Sequence, residues 1–229
     1  MKRSYRQNCA LALSSDILGE RWTLLIIREL LIQPCRFKDL NSVLIGMGTN
    51  LLTNRLKELE AAGLIEREST GDKRSAYQLS PRGLEAEPIV LAMIRWGNGQ
   101  LAAEKDLIQD EKGNYSHQDH WDLLAMKALY RPELFNAELI NTELIEPQKA
   151  KTSMTVIFKT DDFNGWVNAN VKGLTYGLGS CLDNKMSNDL VIELPMTIAQ
   201  LQQILIGNGK AKKELLAATP NLENFVTCF

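Results

Sequence analysis

Asn50, Thr53, Asn54 and Lys57 recur at spacings of three and four, which at about 100° per residue sets them on one stripe of a helix. Their chemistry suits the edges of base pairs. Asn can pair bidentately with adenine, and Thr can hydrogen-bond a base or touch a thymine methyl. Thr49 opens the same segment, and Arg36, Arg55, Lys57, Lys73 and Arg74 are distributed as cations that would hold phosphates and fix register without reading sequence. An ordinary surface helix can also carry such a stripe. Arg55 has an alternative in pairing with Glu58 or Glu60 on its own helix.

The other reactive residues form weaker patterns. Cys9, Cys35, Cys181 and Cys228 are far apart and contain no Cys-x-x-Cys pair, so they are expected to be thiols rather than zinc ligands or a disulfide framework. His117, Asp119, His120 and Asp122 are close together but read as solvated capping residues at the start of a helix, with no third ligand set to complete a metal site. Gly173, Gly177 and Gly179 do not follow the dinucleotide-binding order, and Gly207-Asn-Gly-Lys210 lacks the Ser or Thr of a phosphate loop. Turns are the expected reading of both. With two histidines and no nucleophile-base spacing, no enzyme and no cofactor is expected.

The chain that positions these residues has 229 amino acids, 45% hydrophobic and 24% charged, a globular composition and a length suited to two domains. Its net charge of −2 hides a division. Up to Gln100 there are 14 Lys+Arg against 11 Asp+Glu, and beyond it 12 against 17, so +3 is joined to −5 and the two parts call for different partners. The apolar run from Trp22 is interrupted by Arg28 and Glu29, short of the roughly 18 residues of a membrane span. No signal-peptide core follows Lys2, Arg3 and Arg6. The expectation is a cytoplasmic protein without a membrane partner.

Helical periodicity runs through Cys9 to Ile32, as one broken or two short helices with Ser14, Ser15 and Asp16 available to cap the second half. A short helix is expected around Phe37 to Val43. The turn Gly46-Met-Gly48 leads to a four-turn helix with Thr49 as N-cap and Gly63 as C′ residue. Its Leu52, Leu56 and Leu59 oppose the polar stripe. Leu64 to Glu68 and Ala76 to Leu79 read as a hairpin whose loop carries Lys73 and Arg74. Ser80-Pro81 opens a further helix, with a possible break at Pro88, that continues to about Leu101. Leu52, Leu56, Leu59, Trp22 and Trp96 are assigned to core or dimer packing.

These pieces carry a resemblance. Cys9, Gly19-Glu-Arg-Trp22, Ile27-Arg-Glu-Leu30, Arg36-Phe-Lys-Asp-Leu40, Leu51-Leu-Thr-Asn-Arg-Leu-Lys-Glu-Leu-Glu60, Gly63-Leu-Ile-Glu-Arg67, Tyr77-Gln-Leu-Ser80, Gly83 and Trp96-Gly97 resemble the HxlR family of bacterial transcriptional regulators. The resemblance implies a dimeric winged helix-turn-helix in which the helix from Thr49 reads double-stranded DNA, the hairpin tip meets the backbone or minor groove, and terminal helices pair the subunits. The loop Gly71-Asp-Lys-Arg-Ser75 departs from the proline-containing wing usual there. Cys9 aligns with the cysteine that some resembling members use to sense oxidants, and Arg3 and Arg6 would favour its thiolate. A buried, inert cysteine at a dimer interface is the competing expectation.

Lys105 to Gln118 is polar and aperiodic and reads as a linker. The expected division is residues 1–104 for the winged helix, 105–118 for the linker and 119–229 for a second domain. That domain reads as α+β: a helix over Trp121 to Tyr130, strands over Thr152 to Lys159, Trp166 to Lys172, Leu174 to Leu182 and Leu190 to Leu194 in a largely antiparallel sheet, and helices over Ile198 to Ile206 and Ala211 to Ala218. Through Leu123-Leu-Ala-Met-Lys-Ala-Leu129, the strand series, Asp189-Leu-Val-Ile192 and the helix ending near Gly207, it resembles a sterol-carrier-protein-like fold. This implies a pocket for an apolar small-molecule effector. The fold class is thus mainly α with α+β. Rival functions are a lipid or small-molecule carrier, or an enzyme, centred on the second domain with the winged helix used for dimerisation, and a redox repressor acting through Cys9.

Overall fold

The structure, a computed structural model, describes residues 4–68, 75–103, 118–135, 153–179, 189–206 and 209–229. It divides into two units, Met1–Met93 and Ile94–Phe229. The linker expected over 105–118 lies outside the described residues except for Gln118.

The first unit begins with α1 (Ala10–Leu18) and α2 (Thr23–Ile32). These are two helices because the chain breaks at Trp22, whose φ of 78° is left-handed, a conformation no helix interior accepts. Ser14, Ser15 and Asp16 lie within α1 and cap nothing on α2. Asp16 instead accepts hydrogen bonds from the Ser4 hydroxyl at 2.7 Å and the Tyr5 backbone N–H at 3.0 Å, tying the preceding segment to the helix. In α3 (Phe37–Val43) the Asp39 carboxylate accepts the N–H of Arg36 at 3.0 Å, which satisfies one of the free donors at a helix start.

Next comes α4 (Thr49–Ala61), whose cap is Gly48 rather than Thr49. Thr49 is already helical, so the expected boundary moves by one residue. The far end matches the sequence expectation in its chemistry. Gly63 takes φ 70°, its N–H donates to Glu60, and the Leu64 N–H reaches back to Leu59 at 3.0 Å, the paired bonds of a glycine-terminated helix. Leu52, Leu56 and Leu59 are buried with Ile26, Ile27, Leu30, Leu40 and Leu44 in the core of this unit.

Antiparallel β1 (Ile65–Glu68) and β2 (Ala76–Leu79) follow, with Ile65 opposite Leu79. Tyr77 exchanges two backbone hydrogen bonds with Cys35, at 2.8 and 2.9 Å, so the segment between α2 and α3 joins the hairpin as a third edge. Ser80 then caps α5 (Pro81–Leu84): its hydroxyl accepts the Gly83 N–H at 3.1 Å and donates to the Gly63 carbonyl at 2.6 Å. The break expected at Pro88 is present, since α5 ends at Leu84 and a new helix starts at Glu87. Pro88 sits at the second position of this helix, α6 (Glu87–Ala103), where its missing N–H costs nothing.

The second unit holds α7 (Trp121–Leu129), a 3-10 turn at Pro132–Leu134, strands β3 (Ser153–Lys159), β4 (Asn164–Asn170), β5 (Gly173–Leu178) and β6 (Asp189–Leu194), and helices α8 (Ile198–Ile206), α9 (Lys210–Ala218) and α10 (Pro220–Val226). The sheet order is β5-β4-β3-β6. Two pairings are antiparallel, but β6 runs parallel to β3 with Val156 beside Ile192. The sheet is therefore mixed. On its apolar face Met154, Val156, Phe158, Val167 and Ala169 pack against Leu123, Met126, Ile198, Leu201, Leu222 and Phe225. Gly177 is not a turn residue. It lies within β5 under the Trp166 indole, where a Cβ would approach the ring to 2.7 Å.

Candidate nucleic-acid interface

The two sides of α4 have opposite environments. Leu52, Leu56 and Leu59 are at most 2% exposed, while Thr49, Asn50, Asn54 and Lys57 are open to solvent. Thr53 is half-buried, and its hydroxyl donates to the Thr49 carbonyl at 2.8 Å. That bond leaves the oxygen lone pairs and the methyl as its outward chemistry. A helix of 13 residues is about 20 Å long, and Asn50, Thr53 and Asn54 of the polar stripe lie in the half nearest its N-terminus, the part that meets base edges in helix-turn-helix complexes. Leu51, also exposed in this first turn, adds an apolar contact surface.

Arg55 is elsewhere engaged. Its guanidinium bonds Glu58 at 2.5 Å, the expected same-helix alternative, and Glu20 at 3.2 Å, and the side chain is only 12% exposed. It ties α4 to the segment before α2. The sequence offered no local sign of Glu20 as a partner, because the two residues are 35 positions apart. Arg36 is exposed at the start of α3, and Lys38, which the spacing argument did not single out, is exposed one turn element further on. Lys73 and Arg74 lie outside the described residues. The base of the hairpin is nevertheless anchored: Arg67 bonds Glu60 of α4 at 3.3 Å and lies 5.2 Å over the Tyr77 ring. Arg82 donates to the Ala62 carbonyl at the end of α4 at 3.0 Å.

Cys9 is exposed at the start of α1, not buried. Its thiol pKa lies below the ordinary value because the backbone N–H groups of Ala12 and then Leu11 favour the thiolate. The helix start, rather than Arg6, accounts for this shift, and Arg3 lies outside the described residues. Cys35 is the reverse case: burial, followed by the charges of Glu29 and Asp39, pushes it to about 12. Burial also raises Cys228, and Cys181 is outside the described residues. Trp96, assigned to packing, is 70% exposed and lines one side of α6 with exposed Ile89 and Met93. Leu11 and Leu13 of α1 are similarly open.

Of the acidic and histidine group near α7, His117 lies outside the described residues, His120 stacks edge-on against Trp121, and Asp122 is buried in the first turn. Among the described residues no helix is long and apolar enough to cross a membrane.

A three-helix core, a helix with a solvent-facing polar stripe and a following two-stranded hairpin define a winged helix-turn-helix unit. Comparison with known proteins gives the same class. The family described as HxlR-like helix-turn-helix matches residues 17–105. The uncharacterized HTH-type transcriptional regulator sll1512 of Synechocystis sp. (strain ATCC 27184 / PCC 6803 / Kazusa) is 36% identical over 91 residues, covering 39% of this chain and 67% of its own. The uncharacterized HTH-type transcriptional regulator YvaP of Bacillus subtilis (strain 168) is 34% identical over 83 residues, covering 35% and 77%. Among solved structures, the redox regulator HypR in its oxidized form is 29% identical, with 40% of this chain and 96% of that one covered at a TM-score of 0.38. The chain belongs to the HxlR-like helix-turn-helix family. Residues 106–229 lie beyond the matched region.

Proposed function

We propose that the protein is a homodimeric, DNA-binding transcriptional regulator that inserts α4 into the major groove. The observation that carries this is the division of α4 into a buried leucine seam and an open stripe of Asn50, Asn54 and Lys57. Thr49 and Thr53 extend the base-facing set. Arg36, Lys57, Lys73 and Arg74 meet phosphates, and Arg55 acts by holding α4 in place through Glu20 and Glu58. The relatives named as transcriptional regulators support the reading. The exposed apolar residues of α1 and α6 supply the face on which a second copy packs. Half-sites then lie roughly 34–36 Å apart or at a multiple of that spacing. Gel-shift titration on DNA upstream of the chain's own gene, at several salt concentrations, tests this. Specific binding that weakens steeply with salt is expected; absent or salt-insensitive binding rejects it.

The winged helix occupies residues 1–104 in this reading, 105–118 serve as linker, and 119–229 form a sterol-carrier-protein-like effector domain. Support comes from the helices α7, α8 and α10 laid over one apolar sheet face. An apolar ligand there changes DNA affinity by binding the DNA-competent and incompetent arrangements unequally. The position of Cys9, exposed and with its thiolate favoured, supports a second reading in which oxidants set the DNA affinity. Replacing Cys9→Ser and retaining the full oxidant response would reject that reading.

A further inference from the structure

We infer that the Arg21 guanidinium, seated on the Trp22 indole, holds a DNA phosphate beside the N-terminal half of α4. The inference rests on the DNA-binding reading and adds a contact that neither the polar stripe nor its flanking cations include. Arg21 and Trp22 lie in the turn between α1 and α2. Trp22 has a φ of 78° there, a costly conformation for a bulky residue that persists only where the surroundings hold it. Its half-buried indole rests against the turn between α3 and α4, with Cη2 3.8 Å from where a Cβ on Gly46 would stand. One residue before Arg21, Glu20 bonds Arg55 in the middle of α4 at 3.2 Å. Residues 20–22 thus run beside α4 from its approach turn to its midpoint. A phosphate rail follows that flank when the helix fills the major groove.

Arg21 is set for such a contact. It is exposed, and its Cζ lies 5.2 Å from the Trp22 ring centroid. Stacking engages one face of the guanidinium and leaves the N–H donors around its edge for a phosphate. Arg28, Arg55 and Arg67 of the same unit are already tied to carboxylates, whereas Arg21 makes no ion pair among the described residues. The carboxylates near it have other partners. Arg55 takes Glu20 and Glu58, and Asp16 accepts from the Ser4 hydroxyl and the Tyr5 N–H. Without Arg21 this flank would present more carboxylate than cation to the DNA.

The test is fluorescence anisotropy of the full chain on a duplex selected from a random pool and on an unrelated duplex of equal length, over a series of salt concentrations. The variants are Arg21→Gln, Arg21→Met, which keeps a carbon stem on the indole, and Arg21→Lys. Lys172→Gln, at an exposed cation of the second unit, controls for net charge. One phosphate contact contributes about 0.9 to the slope of log affinity against log salt, or about eightfold per tenfold fall in salt. Arg21→Gln and Arg21→Met are expected to flatten the slope by about that amount and to weaken both duplexes by the same factor, since a phosphate contact carries no sequence information. Arg21→Lys is expected to keep the parent slope. Should Arg21→Gln fail to fold in a thermal melt, Arg21→Met decides. A parent slope in the neutral variants overturns the inference, as does a loss confined to the selected duplex or an equal loss in Lys172→Gln. A slope in Arg21→Lys as flat as in Arg21→Gln assigns the loss to packing on Trp22 and overturns it too. In all these cases the parent chain still binds DNA and the regulator reading stands; a parent chain that binds neither duplex overturns both.

Discussion

Asn54→Ala separates recognition from folding. Asn54 is solvent-exposed on α4 with its neighbours on the buried side being Leu52, Leu56 and Leu59. Truncating it empties no core volume, and alanine is the better helix former by a few tenths of a kcal/mol. The melting temperature should hold or rise slightly. A bidentate contact to adenine is worth about 1–3 kcal/mol of discrimination, which corresponds to a loss of about five- to 150-fold in operator affinity. The assay is fluorescence anisotropy on a duplex selected from a random pool, with chemical denaturation run in parallel. Leu56→Ala is the counter-control: at 1% exposure it should cost about 2–5 kcal/mol of stability and reduce DNA binding only through loss of folded protein. Parent-like affinity for Asn54→Ala, with the same selected sequence, would refute the assignment of this face to base edges.

Gly83→Ala should destabilise the first unit by about 1–3 kcal/mol in a urea melt, because a Cβ there would stand 2.0 Å from the Leu64 carbonyl oxygen; an unchanged midpoint would show that α5 can move aside. Cys9 should react with iodoacetamide at lower pH than an ordinary thiol. Its pKa is lowered, so its thiolate forms earlier as pH rises, whereas Cys35 at about 12 should stay unmodified at neutral pH; mass mapping of the adducts decides between them. Met93→Glu, placing a charge on the exposed side of α6, should shift the species in light scattering from dimer to monomer, and an undisturbed dimer would remove α6 from the pairing surface.

What the sequence disclosed was governed by range. The Gly63 stop of α4, the Ser80-Pro81 start of α5 and the leucine seam depend on residues within one or two turns, and the structure reproduces them. The one-residue error at Thr49 reflects how loosely caps fix a boundary. Left-handed Trp22 had no composition signal, since the region favours glycine and asparagine. The salt bridge from Arg55 to Glu20 and the parallel placement of β6 beside β3 join segments separated by many residues, which periodicity cannot pair. Helix α10 went unread because Pro220-Asn-Leu-Glu-Asn-Phe-Val226 is barely two turns long, too brief for a repeating apolar pattern. On the candidate interface, Asn50, Asn54 and Lys57 were legible as a face and Glu58 as a partner of Arg55, while its second partner, Glu20, required tertiary contacts.

The hairpin is fastened to its surroundings at its root, through Cys35 and Tyr77 on one side and Arg67 and Glu60 on the other. The backbone pairing with Cys35 is the firmer of the two, and the Arg67–Glu60 pair, exposed on both sides, adds a contact from the hairpin root to α4. In the proposed DNA complex the root of the hairpin and α4 would present themselves to the duplex in one register, so an operator lengthened by a single base pair between their contacts should bind more weakly.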